Sequence, residues 1–302
     1  MYEVMPQSQV EEWVDGIAHD FSKAKDLDSL LDSAVDVFSL DYVETLKKAA
    51  WPVFKQWLKK FQPEPKTVAV FDYPAYFYAR YAVSGPDPDI GNAIARRIAK
   101  DTEKIGADSA VIAVDCPSGT GWRSSFYKDY KADRPAKPDG FYQCREESLK
   151  QLPDMVSCLS WESDDVMASV AFRCKMLGHR CVIMTEDKDL LQCVGMGTTC
   201  FSPKNNQARG EDYLKAQYKV TPRQFIDWLC LSGKDNVPSA AGIGEGRASD
   251  FLQKFGSVIS MFDSREKLTE KKREAIEKYV YSGDYFTARR LHTLCKNLKV
   301  RL

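Results

Sequence analysis

The sequence has no apolar run that approaches the roughly 20 residues needed to cross a bilayer. Its first residues also lack the basic start and apolar stretch of a signal peptide, so we expect neither a membrane anchor nor secretion. Nine cysteines are scattered without a C-x-x-C pair, which argues against a zinc site and against a disulfide framework. These absences favour a soluble protein of a reducing, intracellular compartment.

The formal net charge is zero, so the molecule as a whole gives no electrostatic argument for a polyanionic partner. The charge is unevenly distributed, however. Residues 1–66 carry 12 acidic and 8 basic side chains, whereas residues 265–302 carry 5 acidic and 11 basic ones. Residues 122–137 hold five bases against two acids. This distribution suits local contacts with nucleic acid, although solvated helix faces would produce it as well.

Three regions follow one another along the chain. Residues 7–60 predict helices because apolar side chains recur at helical spacing, and the sequence Q-P-E-P-K at 62–66 interrupts that pattern. We expect a helical N-terminal extension over 1–66, a catalytic core over 67–215, and a third, partly basic helical region over 216–302.

The core region alternates strand and helix patterns. Short apolar, β-branched runs at 67–72, 109–115 and 180–189 each end in aspartate, and helical stretches at about 89–105, 139–152 and 163–177 lie between them. Such alternation predicts an α/β fold with a mostly parallel central sheet flanked by helices. Ligands of such sheets bind at the carboxyl ends of the strands, where these aspartates fall.

Seven acidic residues mark these strand ends and the helix that opens near 163. They are Asp72, Asp115, Glu162, Asp164, Asp165, Asp187 and Asp189. Carboxylates that converge repel one another strongly unless cations neutralise them, and oxygen donors without His or Cys favour Mg²⁺ or Mn²⁺. Two such ions roughly 4 Å apart can promote phosphodiester hydrolysis. The alternative for each single aspartate is a helix N-cap.

At this point the sequence resembles the 5′-nuclease (flap endonuclease) superfamily, which includes bacterial 5′–3′ exonucleases and phage flap endonucleases. Five motifs carry the resemblance, in the family's order, from about residue 67 to residue 260. They read FDYPAY, AVDCPSGTGWRSSFYKDYKADRP, WESDDVMASVA, TEDKDLLQ and KDNVPSAAGIGEGRA. The second motif is the most specific, because Arg123, Tyr127, Tyr130, Lys131 and Arg134 match the family's spacing.

The resemblance implies roles for these residues. Asp115, Glu162 and Asp164 would hold one metal ion, with Asp72 reaching it directly or through water. Asp165, Asp187 and Asp189 would hold a second ion. A helical arch would follow Asp115, with Lys131 and Arg134 at its foot contacting the scissile phosphate; one helical turn apart, they would face the same way. Arg123, Tyr127 and Tyr130 would contact DNA, the tyrosines by stacking, although tyrosines at this spacing also pack in cores.

The segment 220–252 resembles the family's helix–hairpin–helix element that grips duplex DNA. Gly242 and Gly244 flank Ile243 in the expected hairpin, where backbone N–H groups can approach a phosphate, and Arg247 begins the next helix. A plain helix–helix turn explains these glycines equally well. In relatives the hairpin also holds a monovalent cation, so we expect K⁺ here.

The sequence departs from the family pattern just before this hairpin. Relatives read G-D-x-x-D-N, whereas this chain reads L-S-G-K-D-N. Asp235 matches the second aspartate and would join the second metal site, while the first falls on Ser232. We therefore expect a weaker second site. The family's lysine after G-I-G-x is replaced by Gly246, with Arg247 as a stand-in.

The leading expectation is a structure-specific, Mg²⁺- or Mn²⁺-dependent 5′ nuclease that acts with two ions on DNA flaps or RNA/DNA primers and leaves a 5′-phosphate and a 3′-hydroxyl. The alternative is a catalytically weakened relative that binds branched DNA. A ribonuclease of the PIN-like class and a small-molecule phosphohydrolase fit the motifs less well. We expect a bacterial or phage-encoded monomer with roles in replication and repair. For residues 1–66 three roles stay open: docking a partner such as a replication protein, covering the sheet, or stabilising the fold.

Overall fold

The computed structural model describes residues 7–38, 44–61, 63–116, 121–153, 155–156 and 160–300. In this part of the chain the strands are β1 Thr67–Asp72, β2 Ser109–Ala113, β3 Met155–Val156, β4 Arg180–Met184, β5 Thr198–Ser202 and β6 Gln207–Arg209. The first seven helices are α1 Gln7–Ser22, α2 Leu27–Phe38, α3 Glu44–Leu58, α4 Tyr73–Ser84, α5 Ile90–Lys104, α6 Gly121–Phe126 and α7 Phe141–Leu149. The others are α8 Ser163–Leu177, α9 Glu211–Tyr218, α10 Pro222–Ser232, α11 Glu245–Phe255, α12 Val258–Asp263, α13 Glu270–Tyr281 and α14 Asp284–His292, with 3-10 turns at Lys188–Cys193 and Arg265–Lys267.

The strands form one sheet in the order β3-β2-β1-β4-β5-β6. All neighbouring pairs are parallel except β5 and β6, which are antiparallel. The chain moves outward from β1 through β2 to β3 and then returns to the other side of β1 at β4. This reversal of strand order opens a crevice between the carboxyl ends of β1 and β4, where sheets of this type bind ligands.

Both faces of the sheet are buried. Val68 and Val70 point from β1 towards α8 and the C-terminal helices, while Ala69 and Phe71 point towards α4, α5 and α7. Side chains that alternate between two apolar layers explain why the strands are continuous apolar runs rather than alternating polar and apolar.

The N-terminal helices pack on the outer surface of α8. Helices α1, α2 and α3 enclose a separate apolar cluster that includes Phe21, Leu30 and Phe54, and Met176 and Leu177 at the end of α8 close it. The apolar faces of the helices predicted over 7–60 are thus buried against one another and against the end of α8, outside the main core.

The expected α/β class, the mostly parallel sheet and the flanking helices are confirmed. The predicted helices at 89–105, 139–152 and 163–177 correspond to α5, α7 and α8. No helix within the described residues is long and apolar enough to span a membrane.

Candidate active site

The acidic residues that end β1 and β4 meet at the crevice where the strand order reverses. Asp72 is the last residue of β1 and is 5% exposed. Its Oδ2 accepts a hydrogen bond from Thr185 Oγ1 at 2.7 Å, directly after β4, and its Oδ1 accepts from Ala75 N at 3.2 Å. Asp72 is therefore also the N-cap of α4, so the capping interpretation and the site interpretation hold for the same residue.

Burial raises the pKa of Asp72 to about 7, because Thr185 and Ala75 lower it only in part and the nearby carboxylates of Asp187 and Asp115 raise it further. The pKa of Asp164, in the first turn of α8, is likewise raised well above its usual value by burial and by Asp187 and Asp72. Carboxylates that impede one another's ionisation in this way form a site that a cation would stabilise.

The beginning of α8 brings two further acids to the same place. Asp115 Oδ1 accepts a hydrogen bond from Ser163 N at 2.8 Å, which fixes the loop after β2 against the helix N-terminus. Glu162 precedes α8, is 4% exposed, and accepts from Lys131 Nζ through Oε1 at 2.7 Å. Burial alone would lower the pKa of Lys131, but the interactions with Glu162 and Tyr130 are stronger and raise it. Lys131 therefore stays protonated beside the acids.

A second group of acids surrounds another ammonium. Lys234 Nζ lies 3.2 Å from Asp187 Oδ1, 3.2 Å from Asp189 Oδ1 and 3.9 Å from Asp235 Oδ2. Burial raises the pKa of Asp189 to about 6, with Asp187 adding to the effect, whereas Lys234 outweighs burial at Asp187 and lowers that pKa. Lys234 therefore compensates part of the charge of this group.

The two groups are joined through the turn at 127–134. Lys131 N donates to Asp235 O at 3.1 Å, and Arg134 Nη2 donates to Asp235 Oδ1 at 2.9 Å. Lys131 and Arg134 thus both reach acidic residues of the crevice, but they contact different ones.

The predicted helical arch is corrected by the structure. Among the described residues that follow Asp115, only α6 is helical before α7; residues 127–134 form turns, and Lys131 has a φ of 56°. Lys131 and Arg134 therefore do not lie one helical turn apart. The left-handed φ of Lys131 interrupts any helix through this segment, and Pro135 disfavours helical backbone at Arg134.

Arg123 was predicted to contact DNA, and that prediction is wrong. Its side chain is 1% exposed, and its guanidinium donates to Leu291 O, Glu162 Oε2, both oxygens of Asp165 and Thr293 O. All five N–H donors of the guanidinium are used inside the protein. Arg123 therefore links α6, the start of α8 and the C-terminal segment through buried hydrogen bonds.

Asp165 was predicted to be a ligand of the second metal ion, but its carboxylate faces Arg123 rather than the other predicted ligands. It is fully buried, and Arg123 binds its two oxygens at 2.6 and 2.8 Å, while Cys295 N donates to Oδ1 at 2.8 Å. Neighbouring helix positions point about 100° apart. Asp164 therefore faces the acids of the strand ends while Asp165 faces Arg123.

The tyrosines of the second motif are partly buried against the core. Tyr130 OH donates to Glu162 Oε2 at 3.3 Å, and Lys131 Nζ lies 4.7 Å from its ring centroid. Packing and support of Glu162 thus account for Tyr130, and the stacking of bases on Tyr127 or Tyr130 stays a prediction.

The glycines of the predicted hairpin lie between α10 and α11. Gly242 has a φ of 69°, a conformation that glycine adopts easily, and Gly244 is the N-cap of α11. The Gly242 carbonyl accepts hydrogen bonds from Arg247 Nη1 at 2.9 Å and from Lys272 Nζ. Two side-chain cations therefore already contact one carbonyl of this loop, and the binding of K⁺ by the hairpin stays a prediction.

The crevice fits a hard divalent cation in its chemistry, since its free donors are carboxylate oxygens. As the side chains stand, however, no three His, Cys, Asp or Glu residues in the described part of the chain surround one point closely enough to hold an ion. The ammonium groups of Lys131 and Lys234 lie among the acids instead. To hold an ion, Glu162 would have to exchange Lys131 for it, and the side chains of Asp72, Asp115 and Asp164 would have to move closer together.

Two residues of this site were not found from the sequence. Thr185 follows an apolar strand run and carries no sequence signal of its own. Its role in the site is shown only by its buried hydrogen bond to Asp72. Lys234 was noticed only as part of a motif that lacks an aspartate. No pattern within G-K-D-N signals this role, because the short contacts of Lys234, at 3.2 Å, are with Asp187 and Asp189, which are distant in the sequence.

Comparisons with known proteins agree with this geometry. The sequence profile of a family described as 5′-3′ exonuclease, N-terminal resolvase-like domain, matches residues 69–219. A 5′-3′ exonuclease of Buchnera aphidicola (subsp. Schizaphis graminum) is 27% identical over 164 residues, which cover 52% of this chain and 57% of the relative. A 5′-3′ exonuclease of Aquifex aeolicus is 33% identical over 164 residues, 52% of this chain and 56% of the relative.

The chain therefore spans a little over half the length of these curated relatives. Among solved structures, a phage T5 flap endonuclease crystallised with DNA and metal ions superposes with a TM-score of 0.62. The superposition covers 75% of this chain and 88% of that one at 16% sequence identity, which establishes similarity of fold.

Proposed function

The chain belongs to the family of 5′-3′ exonuclease N-terminal resolvase-like domains, and we propose that it is a metal-dependent nuclease that hydrolyses phosphodiesters at 5′ ends and 5′ flaps of DNA. The observation that carries the proposal is the pair of carboxylates at the crevice between β1 and β4, the buried Asp72 and the partly buried Asp164, whose pKa values are both raised. A fold with no use for a cation there would be more stable with neutral side chains at these positions.

Asp72, Asp115, Glu162 and Asp164 would hold a divalent ion, most simply Mg²⁺ or Mn²⁺. When bound, such an ion polarises a phosphodiester oxygen and lowers the pKa of a water molecule that attacks phosphorus. The protein's own residues position that ion: Thr185 orients Asp72, and the N-terminus of α8 orients Asp115. Arg123 and Tyr130 hold Glu162 from the opposite side.

Lys131 and Arg134 would bind the scissile phosphate. Each now donates to a carboxylate that a substrate phosphate would replace as partner, Lys131 to Glu162 and Arg134 to Asp235. Both cations sit on a turn rather than a regular helix, so they can change partner without breaking a helical hydrogen-bond ladder. Transfer of Lys131 to the phosphate would release Glu162 at the moment the substrate arrives and would offset charge that develops on phosphorus.

The region 216–302 would grip the duplex part of the substrate, as the catalytic core 67–215 cuts it. The loop between α10 and α11 is rich in glycine, and Arg247 and Lys272 bring two exposed or partly exposed cations to Gly242. Backbone N–H groups and cations at such a loop suit a phosphate backbone. The T5 flap endonuclease of similar fold was crystallised with DNA, which supports the choice of substrate.

A cleavage assay tests the proposal. A 5′-flap DNA with an internal label, incubated with the protein and Mg²⁺, should be cut near the junction to give a 5′-phosphate and a 3′-hydroxyl, while a 3′-flap of the same sequence should be cut more slowly. An RNA flap of the same sequence measures the tolerance for primers. Absence of cleavage in Mg²⁺ and in Mn²⁺ would reject the nuclease.

A second candidate is a branched-DNA-binding protein that does not cut. The observation that favours it is Lys234, whose ammonium lies among Asp187, Asp189 and Asp235. Tight binding of the 5′-flap DNA without turnover in either metal would identify this alternative.

A further inference from the structure

We propose that Lys234 is a built-in cation that takes the place of a second metal ion, so that this protein binds a single divalent ion in its crevice. The inference rests on the proposed function, since it concerns the same site. It replaces the expectation of two bound ions, in which Asp187, Asp189 and Asp235 would ligate the second one.

The first observation is the coordination of the ammonium. Lys234 Nζ approaches carboxylate oxygens from three residues, at 3.2 Å from Asp187, 3.2 Å from Asp189 and 3.9 Å from Asp235. The first two belong to the turn after β4 and the third to the loop after α10. A cation held by three carboxylates from two separate elements stands where those carboxylates would converge on an ion, and both cannot occupy that volume.

The second observation is that the loop fixes Lys234 in this position. Gly233 ends α10 with a φ of 70°, and a Cβ there would lie 2.9 Å from Ser239 Oγ. Asp235 has a left-handed φ of 54° and accepts a hydrogen bond from Lys131 N through its carbonyl. Val237 N closes the turn on Lys234 O at 2.9 Å. The lysine is therefore delivered by a tight turn rather than by a mobile chain.

The third observation is the contrast with Lys131. Lys131 Nζ pairs with Glu162, whereas the carboxylates of Asp72, Asp115 and Asp164 in the same group accept no hydrogen bond from a lysine or arginine side chain among the described contacts. Lys131 therefore neutralises one carboxylate of the first group and leaves three without a cationic side chain. In the second group every predicted ligand except Asp165 contacts Lys234, and Asp165 is bound by Arg123.

Electrostatics separates the two groups in the same way. A divalent ion that entered the second group beside Lys234 would meet the repulsion of an ammonium a few ångströms away in a partly buried site. A lysine supplies positive charge for a phosphate oxygen but cannot act as a Lewis acid on water. Lys234 would thus keep the charge-stabilising role of a second ion and leave activation of water to the first group.

Counting bound Mn²⁺ tests the proposal without reference to DNA cleavage. Equilibrium dialysis, with the free ion measured by electron paramagnetic resonance, should give one Mn²⁺ per wild-type chain. Lys234→Ala should bind two, or bind the second at least tenfold more tightly than wild type. Lys234→Met, which keeps the aliphatic stem, should behave like Lys234→Ala, and Lys234→Arg should still bind one.

The matched control is Lys188→Ala, which removes the same charge from the turn that carries Asp187 and Asp189, because Lys188 pairs with Glu245 at 2.8 Å. It should bind one Mn²⁺ with the affinity of wild type. Two ions of similar affinity on the wild type would overturn the proposal. So would an unchanged count in both Lys234→Ala and Lys234→Met, once circular dichroism shows that they are folded.

Failure of this proposal about Lys234 can be told apart from failure of the proposed nuclease function, because Mn²⁺ counting and flap cleavage are separate measurements. A wild type that binds one Mn²⁺ and gains a second on Lys234→Ala, yet cuts no flap, would support the role of Lys234 and reject the nuclease. A wild type that cuts flaps and binds two ions would do the reverse.

Discussion

At the scale of single residues, Arg123 holds Glu162 in position through buried hydrogen bonds. The side chain is buried together with Glu162 and Asp165, and its five donors hold these acids and the backbone at Leu291 and Thr293. A buried guanidinium with two carboxylates is compensated only while all partners are present. Arg123 is therefore a positioning residue for Glu162 and for the C-terminal segment.

Replacement of Arg123 should destabilise the fold. Arg123→Ala leaves two buried acids without their cation, and we expect a loss of about 3–5 kcal/mol in the free energy of unfolding. Arg96→Ala is the control, because Arg96 and its partner Asp89 are 67% and 56% exposed and such pairs contribute about 1 kcal/mol or less. Urea unfolding monitored by circular dichroism measures both. An equal decrease in the free energy of unfolding for the two variants would show that the buried contacts of Arg123 do not stabilise the fold.

The raised pKa of Asp72, about 7 against 3.8 for the free side chain, predicts a pH dependence of stability in EDTA. Between these values the folded protein binds more protons at Asp72 than the unfolded chain does, so the free energy of unfolding falls as pH rises from about 4 to about 7. For Asp72 alone this fall is on the order of 4 kcal/mol.

Urea unfolding in EDTA at pH 5 and pH 8 measures the part of this fall that lies above pH 5, about 3 kcal/mol. Asp72→Asn should show a smaller one, and saturating Mg²⁺ should reduce the fall in wild type because the ion favours the ionised form. Equal pH slopes for wild type and Asp72→Asn would show that Asp72 titrates normally.

The sequence located the acids of the strand ends for a physical reason. Parallel strands bring their carboxyl ends to one edge, so Asp72, Asp115 and Asp187 had to lie near one another. Direction around the helix was harder to predict, because Asp164 and Asp165 are adjacent in sequence and point to different sides of α8. Which one faces the crevice depends on Arg123, a contact between distant parts of the chain.

At the scale of elements, ion pairs between a buried arginine and two partly exposed aspartates attach the N-terminal helices to the core. Arg173 of α8 is 2% exposed and pairs with Asp32 at 2.7 Å and Asp28 at 3.3 Å, both on α2. This contact lies beside the apolar cluster that α1, α2 and α3 share with the end of α8. The helical layer is therefore fixed to the helix whose other end carries Glu162 and Asp164.

Arg173→Ala should loosen this layer. We expect a loss of about 2–4 kcal/mol, since Asp32 and Asp28 keep part of their hydration. Chymotrypsin should then cut within residues 7–61 faster than in wild type, with the core over 67–300 surviving longer, as mass spectrometry of the fragments would show. Asp20→Ala, which removes an exposed ion pair with Lys23, should leave the cleavage rate unchanged. Resistance equal to wild type would show that the pair does not hold the layer.

Elements were predictable where one periodicity dominated. The helices at 90–104 and 163–177 and the strand at 67–72 follow directly from apolar spacing. The segment after α6 was predicted as a helix from its resemblance to an arch, and the turns at 127–134 with the left-handed φ of Lys131 contradict that. The turn that replaces the helix places Lys131 and Arg134 on different carboxylates.

At the scale of the whole molecule, the strand order creates the crevice and the other layers fix its walls. Asp72 and Thr185 join β1 to β4 across the reversal, α8 presents Glu162 and Asp164, and the loop after α10 presents Asp235. The mutual approach of these parts depends on packing between segments far apart in sequence. Periodicity could therefore indicate the fold class and the acidic strand ends, but not the insertion of Lys234 among them.

The most direct test of the account compares wild type with Asp164→Asn in single-turnover cleavage of a 5′-flap DNA in Mg²⁺. Asparagine keeps the size of the side chain and removes its charge, and we expect the rate to fall at least about a hundredfold. Binding of the flap DNA in Ca²⁺ and the free energy of unfolding should be close to those of wild type or higher. A folded Asp164→Asn protein that cuts at the wild-type rate would contradict the assignment of the carboxylate crevice as the active site.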